Sequence, residues 1–427
     1  MARSEEELRR EAIERRKRGE RAVVVARVVG RSIQWVWKWW ERYRRGGDAA
    51  LTSRSRAPHV VVRKFPRRIR ERVIAARRSL EKGGTRRTQY AGYGPEAVHW
   101  ELERQGVHPL PSLATIARIV RSVGLARRFR RRRVRSGRPY PGPVARKPGD
   151  LMETDLVGPR HLRGKTGVLR FFSIHSLDVA SRAAVTSQHA HKSSTSLLHH
   201  LVRAWGRQGV PRNWQMDHEM AAEGSRRHFG SLSQPVRLAL VLGVRVVFIP
   251  PGEPGRNAHI ESFNRLWQER VLRRHRMESR QALRRRSQGF ETYYNLQRPH
   301  RALSAKAHGS RFPGEAFRLA GAHRKRLPPD FGCFLERYRN PNGGLALPLA
   351  RGRITYILQV EGDGSIEIQG KVLPIGRRHA GEYAKATIFT HRGQIRVQIH
   401  HRVVQVFPFP VREKVVAPLR PLPRGRM

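Results

Sequence analysis

The sequence predicts a multidomain protein in which tandem all-α helix-turn-helix modules precede an α/β core and a small C-terminal β-domain. In the first part of the 427-residue chain, apolar residues recur at helical spacing behind capping residues. Strands then interleave with helices, which is typical of an α/β or α+β core. From about Ile354 the pattern changes to period two, with Gly-rich turns between short strands. A chain of this length is long enough for several domains with their own cores.

The first module covers residues 1–50 and has the pattern of a helix-turn-helix. Gly30 provides a turn between a short apolar segment and a helix that Ser32 can cap. Gln34 and Lys38 lie on this last helix and are candidate DNA-contacting residues. An ordinary three-helix bundle without a DNA-binding role is the alternative.

The same arrangement recurs after a Ser/Arg/Pro-rich linker at residues 51–65. In residues 66–125, Pro66 lies at a position that the start of a helix tolerates, and Gly94-Pro95 opens another helix. Ser112 can cap a third. Two small modules in tandem can read a longer DNA site than either could alone.

The charge balance indicates a polyanionic partner. Lys and Arg number 87 against 33 Asp and Glu, which gives a formal net charge of +54. Codon bias explains an excess of Arg over Lys, but it does not explain the scarcity of acids. DNA or RNA is the simplest partner, because neutralised phosphates release counterions. With the helix-turn-helix pattern, double-stranded DNA is the expected one.

A linker at residues 126–147 carries the densest charge. Eight arginines lie between Arg127 and Arg138. Such a block is often only solvated. Because it joins a DNA reader to a catalytic core, we expect backbone or minor-groove contacts from Arg130, Arg131 and Arg132.

Three carboxylates mark the core, residues 148–303, as the region of the chemistry. Asp155 lies in a predicted strand and shares its face with Glu153. Asp217 ends a short strand, and Glu261 is expected about two turns into a helix opened by a Pro/Gly loop. Three acids are the hard oxygen ligands that two Mg²⁺ (or Mn²⁺) ions need for phosphodiester chemistry.

The surroundings of Glu261 make this pattern specific. Asn257, Asn264 and Arg265 lie four before, three after and four after the carboxylate, so they share its helix face. With Arg256 they are candidate DNA-binding residues. The opposite face has core spacing, formed by Ile260, Phe263, Trp267 and Val271.

Five sequence blocks carry a family resemblance. They are Glu153-Thr-Asp155-Leu, Leu177-Asp-Val-Ala-Ser-Arg182, Met216-Asp217, the run from Pro250 to Arg265, and the run from Tyr294 to Leu303. Through them the chain resembles DDE-type insertion-sequence transposases with a retroviral-integrase-like catalytic core. The helical modules and the basic C-terminal β-module complete that layout, so the resemblance covers nearly the whole chain.

The resemblance implies fold, chemistry and layout. The core would be RNase H-like, and Asp155, Asp217 and Glu261 would form the catalytic and metal-binding triad. Asn257 and Arg265 would position DNA. A connector at residues 304–350 would lead to an SH3-like β-barrel at residues 351–412 and a basic tail at residues 413–427.

The implied function is that of a DNA transposase, a DDE polynucleotidyl transferase. It would bind the terminal repeats of its element, cut the 3′ ends in a metal-dependent step and join them to target DNA. A homo-oligomer assembled on DNA is expected, since both ends must be held together. One cysteine, Cys333, and no apolar leader or membrane-length segment predict an intracellular, nucleoid-associated protein in the cytoplasm.

Departures from the family pattern keep alternatives open. The family commonly has Asn-Gly after the second aspartate, whereas this chain has His218-Glu219. A degenerate or domesticated copy that acts as a sequence-specific DNA-binding repressor is the first alternative, and a nuclease that does not join ends is the second. Among rival ligands, Glu153 is interpreted as a neighbour of the site and Asp178 as a turn acid. A zinc site among His189, His191, His199 and His200 fits no standard spacing.

Overall fold

The computed structural model describes residues 4–53, 65–126, 140–164, 167–218, 224, 228–319, 326–341 and 344–419. The chain divides into two compact units, Met1–Pro66 and Arg67–Met427. Arg130, Arg131 and Arg132 lie outside the described residues, as do Glu219 and most of the tail.

The first unit contains three helices, α1 (Glu5–Lys17), α2 (Ala22–Val29) and α3 (Ile33–Gly46). Gly30 ends α2 in the left-handed conformation, with φ of 66°. The hydroxyl of Ser32 accepts a hydrogen bond from the backbone N–H of Trp35 and so caps α3. The unit's core forms around buried Val25 and Val36. Helices therefore occupy the positions that the sequence predicted.

The second unit begins with α4 (Arg67–Lys82), α5 (Pro95–Arg104) and α6 (Leu113–Ser122). These helices are part of the compact unit that holds the core, not a separate domain on a linker. Tyr90 packs edge-on against Phe290 at 5.9 Å between ring centroids. Arg274 donates to the carbonyls of Leu80 and Ala91 at 2.6 and 2.8 Å, which ties the helices to the core.

The core is built on a mixed sheet. Its first five strands are β1 (Leu151–Gly164), β2 (Gly167–Asp178), β3 (Ala184–His189), β4 (Asn213–Met216) and β5 (Arg245–Phe248). β1, β2 and β3 pair antiparallel, whereas β4 and β5 run parallel to β1. The α/β core with a mixed sheet agrees with the predicted class.

Helices cover both faces of this sheet. α7 (Ser194–Gln208) and α8 (Gln234–Val241) pack in one apolar cluster with Met152 and Trp214. α9 (Ala258–Trp267) and α10 (Arg280–Leu296) pack in another with Val157 and Phe171. Because neighbouring residues of a strand point to opposite faces, β1 supplies side chains to both clusters.

The C-terminal strands are β6 (Arg353–Gln359), β7 (Ser365–Ile368), β8 (Lys371–Pro374), β9 (Tyr383–Phe389), β10 (Gln394–Ile399) and β11 (Arg402–Pro408). The predicted separate barrel is not what the structure has. β6 pairs parallel with β5, and the order β11-β10-β9-β6-β5-β4-β1-β2-β3 forms one nine-stranded sheet. Only β7 and β8 pair apart, as a hairpin. Satisfying the open edge of β5 explains the fusion, since an uncovered strand leaves backbone groups unpaired.

The described parts of the connector and of the tail contain helices and contacts with the core. The connector contains α11 (Ala305–His308), α12 (Pro313–Leu319) and α13 (Phe331–Arg337). In the tail, Glu413 accepts a hydrogen bond from Arg237 at 2.8 Å, and the N–H of Leu419 donates to the carbonyl of Val241 at 2.7 Å. Residues 413–419, the described part of the predicted basic tail, therefore pack on the core.

Candidate active site

Asp155 lies in the middle of β1, half-buried, on the same face of the strand as Glu153. The side-chain amide of Asn264 on α9 donates to its Oδ2 at 2.6 Å. Asn264 itself is 5% exposed. The helix that carries Glu261 thus also fixes the orientation of Asp155.

His175 lies opposite Asp155 on β2 and completes this arrangement. Its Nδ1 is 2.6 Å from Oδ1 of Asn264. Because the Asn264 nitrogen is used by Asp155, its oxygen must accept, so Nδ1 of His175 carries the proton. Burial lowers the pKa of His175 to about 4, so the ring is neutral at physiological pH. Sequence reasoning missed this residue, which lies in an apolar run without a motif.

Asp217 follows the last residue of β4, next to β1 in the sheet. The buried Asn257 places its amide nitrogen 3.5 Å from Oδ1 of Asp217 and 3.4 Å from the carbonyl of Thr154. The oxygen of Asn257 accepts from Gln215 at 3.1 Å. Asn257 thus links β1, β4 and the start of α9.

Glu261 lies in the first turn of α9, not two turns into a helix as predicted. The Pro/Gly loop forms a short 3-10 segment, Pro254–Asn257, before the α-helix begins at Ala258. Burial raises the pKa of Glu261, and the charges of Asp217 and Glu153 raise it further, while Arg265 opposes them. Repulsion from Asp217 indicates that the two carboxylates face a common region.

Glu153 has a structural role at the start of the same helix. Its carboxylate accepts from the N–H of Ile260 at 2.8 Å and lies 2.9 Å from Nδ1 of His259. Burial raises the pKa of Glu153 to about 7. A carboxylate at a helix N-terminus accepts hydrogen bonds from backbone N–H groups that have no partner within the helix. Its negative charge also interacts favourably with the helix dipole.

Asp178 and the histidines are also held in structural contacts. Asp178 accepts from the N–H of Gly149 and from the backbone and hydroxyl of Ser181. His200 is buried and hydrogen bonds to two serines, one of which also contacts His189. These contacts fit the interpretation of Asp178 as a turn acid and give His189 and His200 structural partners.

The predicted DNA-binding residues fall into different environments. Gln34 and Lys38 are exposed on α3, and Arg265 is exposed on α9. Arg256 is bound by Glu253 and by the hydroxyl of Tyr383, at 2.9 and 2.7 Å. Asn257 and Asn264 are buried, and their side-chain amides contact the aspartates. Their positions therefore favour a role in holding the aspartates over direct contact with DNA.

The three carboxylates are the type of ligand that a divalent metal ion prefers. Asp155, Asp217 and Glu261 offer only oxygen ligands. Burial raises the pKa of Glu261 most, and the charges of Asp217 and Glu153, which raise it further, are charges that a cation would offset. In the described part of the chain, no three His, Cys, Asp or Glu side chains are grouped closely enough to hold an ion. Of the described helices, none has the length and apolarity needed to cross a membrane.

Comparison with known proteins found a family match and a curated relative. The integrase core domain family matches residues 242–307, which contain Glu261 and both asparagines. The insertion element IS407 uncharacterized 31.7 kDa protein of Burkholderia multivorans is 27% identical over 242 residues, which cover 55% of this chain and 79% of that protein.

Solved retroviral integrase structures are more distant. The simian T-cell lymphotropic virus intasome chain is 15% identical, with a TM-score of 0.33, over 75% of this chain and 96% of its own. The HTLV-2 integrase catalytic core, solved with magnesium, is 13% identical, with a TM-score of 0.30, over 41% of this chain and 99% of its own. Likeness at this level assigns no residue of this chain. The family match and the insertion-element relative confirm the predicted resemblance: this protein resembles insertion-sequence transposases and carries an integrase-like core.

Proposed function

We propose that the protein is a DNA transposase that cuts the 3′ ends of its element and joins them to target DNA. The observation that carries the proposal is the linkage of three acids through one helix. α9 bears Glu261, its Asn264 holds Asp155, and Asn257 at its start contacts Asp217. Such a shared scaffold suits chemistry in which carboxylates must act together on one phosphate.

Asp155, Asp217 and Glu261 would hold divalent ions, Mg²⁺ or Mn²⁺, which would supply charge stabilisation and an activated water. Asn264 keeps the Asp155 carboxylate turned toward the site, and neutral His175 keeps Asn264 in the orientation that donates to it. Glu153 holds the N-terminus of α9 against β1. We assign Asn257 and Asn264 positioning roles, because buried amides that orient ligands are typical of supporting contacts at metal sites.

DNA binding is assigned to the exposed cations and to the helical modules. Gln34 and Lys38 on α3 are proposed to contact the terminal repeats, and Arg265 beside Glu261 to contact the phosphate backbone at the cut site. Arg130, Arg131 and Arg132 are proposed backbone contacts. Arg256 is proposed to bridge the C-terminal strands to the active-site loop, where its cationic group also contributes to the local positive potential. A homo-oligomer assembled on both DNA ends follows from the joining reaction.

The test compares the protein with Glu261→Gln and with the control Glu269→Gln, the same chemical change two turns further along the chain. Each is incubated with labelled element ends, a target plasmid and Mg²⁺ or Mn²⁺. The proposal expects 3′-nicked and joined products from the protein and from Glu269→Gln. It expects a loss of at least 100-fold with Glu261→Gln, as when a group that acts in the transition state is removed.

Other outcomes would decide against the proposal. Tight binding of the ends without nicking under either metal would favour the repressor, with His218-Glu219 as the first residues to change. Nicked products without joined ones would favour a nuclease. Equal activity of the two glutamine variants would exclude Glu261 from the reaction.

A further inference from the structure

A basic groove of about 450 Å³ crosses the sheet where the C-terminal strands join the core. Its floor is formed by β4, β5, β6 and β9. Five cations line it: Arg146, Arg212, Arg245, Arg353 and Lys385. The groove exists only because β6 pairs with β5, so it was not predictable from separate domains.

These five cations lie close together and are not neutralised by ion pairs with carboxylates among the described residues. Among the residues that the structure describes, none of the five forms an ion pair within 4.0 Å. The one carboxylate in the groove, Asp150, accepts from the backbone N–H groups of Arg146 and Lys147, both at 3.1 Å. Burial lowers the pKa of Lys385, and Arg245 and Arg353 lower it further. Such crowding of like charge costs folding free energy, and a bound polyanion would offset that cost.

Aromatic packing holds one of the arginines over the groove. The guanidinium of Arg353 lies 5.3 Å from the centroid of the Phe389 ring. A cation held on an aromatic face loses less side-chain freedom when it binds a phosphate. Arg353 is therefore partly arranged for an anion before the anion arrives.

The groove and the carboxylates share one face of the sheet. Glu153 pairs with Gln215, Gln215 with Val247, and Val247 with Thr355, so these side chains lie in one row. Asp155 points to the same face, two residues after Glu153. The arginines lie at the opposite end of the parallel strands from Asp217. Along β4 the separation from Asn213 to Asp217 is roughly 13 Å at about 3.3 Å per residue.

We propose that this groove binds the sugar–phosphate backbone of a DNA strand that runs across the sheet toward the carboxylates. The inference rests on the proposed function only in taking DNA as the polyanion. The groove would hold the strand a few nucleotides from the cut site. Because it reads phosphates, it would contribute affinity and register but no sequence preference.

The test uses the full chain in buffer with EDTA, so that no cleavage occurs. Binding of a fluorescein-labelled 20-nucleotide single strand is measured by anisotropy over a range of salt concentrations. The groove variant is Arg245→Ala with Arg353→Ala. The matched control is Arg318→Ala with Arg337→Ala, which removes the same charge from exposed positions on α12 and α13.

The groove variant is expected to bind roughly tenfold more weakly at 0.15 M salt. The slope of log Kd against log salt should fall by about 1.4, as for two lost phosphate contacts on a single strand. Arg245→Lys with Arg353→Lys retains the charge and should restore most of the slope, which separates phosphate binding from a folding defect. The same slope in the groove variant and the control would overturn the proposal. Because no metal or cleavage is involved, this result is independent of whether Glu261 proves catalytic.

Discussion

The two aspartates of the candidate site receive very different contacts from Asn264 and Asn257. Asp155 lies within a long strand and receives a 2.6 Å hydrogen bond from Asn264, which in turn is held by His175. Asp217 lies just after a four-residue strand, and the amide of Asn257 is 3.5 Å away. A hydrogen bond at 2.6 Å fixes a carboxylate, whereas a contact at 3.5 Å orients it weakly.

This difference indicates how closely each asparagine supports its aspartate. Asn264 is buried, donates to Asp155 and is itself held by His175. Asn257 makes a longer contact with Asp217 and also accepts a hydrogen bond from Gln215. We expect Asn264 to matter more for metal binding than Asn257.

Replacement of the two asparagines by leucine tests the contrast most strongly. Asn264→Leu removes the donor to half-buried Asp155 and the acceptor for buried His175, which leaves both groups without those partners. We expect its apparent metal affinity in the cleavage assay to fall by roughly 10–100-fold, as for other supporting contacts at metal sites. Asn257→Leu loses the 3.5 Å contact with Asp217 and the 3.1 Å hydrogen bond from Gln215, but it leaves the donor to Asp155 in place, and a fall of a few-fold is expected. Metal titrations of the cleavage rate give both values.

A matched control separates this effect from loss of stability. Ser287→Ala removes the acceptor of the Trp267 indole N–H, at 3.1 Å, in the same packed layer without touching an aspartate. It should lower the unfolding midpoint and leave metal affinity unchanged. The contrast between the aspartates fails if Asn257→Leu is the more damaging of the two asparagine changes.

The sequence predicted the elements of this site better than their contacts. Helical spacing correctly assigned Ile260, Phe263 and Trp267 to the core, because apolar periodicity reports which face is buried. Helical spacing also placed Asn264 on the face of α9 that carries Glu261. Asn264 lies at the edge of that face, and its side chain packs inward against β1 and β2. Spacing along one helix cannot show how the helix is rotated against a sheet.

The pairing of β6 with β5 could not be predicted from the sequence for a related reason. A period-two pattern identifies β6 and its two faces, but any strand edge can pair with it. The parallel pairing of Val246 with Ile354 depends on the core having an open edge at β5. His175 was missed because its role depends on pairing with Asp155 across two strands, and no local motif reports that.

A smaller effect is expected when only the support behind Asn264 is removed. His175→Phe keeps an aromatic ring beside Phe263 and Trp267, whose centroids are 5.4 and 4.7 Å away, but it loses the Nδ1–H donor. Cleavage should fall roughly 3–10-fold, since one neutral hydrogen bond of about 1 kcal/mol is lost. The pH–rate profile between pH 6 and 9 should keep its shape, because the pKa of about 4 leaves His175 neutral there. If a limb of the wild-type profile disappears in the variant, His175 takes part in proton transfer and is more than a support.

The last prediction concerns stability and tests whether Glu153 is a structural acid or a ligand. The pKa of Glu153 is raised from 4.5 to about 7 because the carboxyl is buried. The protonated form is therefore favoured in the folded state, and its contribution to stability is complete below about pH 4.5 and lost as pH rises through 7. Glu153→Gln cannot ionise, so its unfolding free energy relative to the wild type should rise by up to about 3 kcal/mol between pH 5 and pH 8.

Urea unfolding with EDTA present measures this, with exposed Glu361→Gln as a control that should show little pH-dependent difference. A flat difference for Glu153→Gln would mean that His259 or Arg182 already neutralises the carboxylate in the fold, and Glu153 would then be available as an anionic neighbour of Asp155.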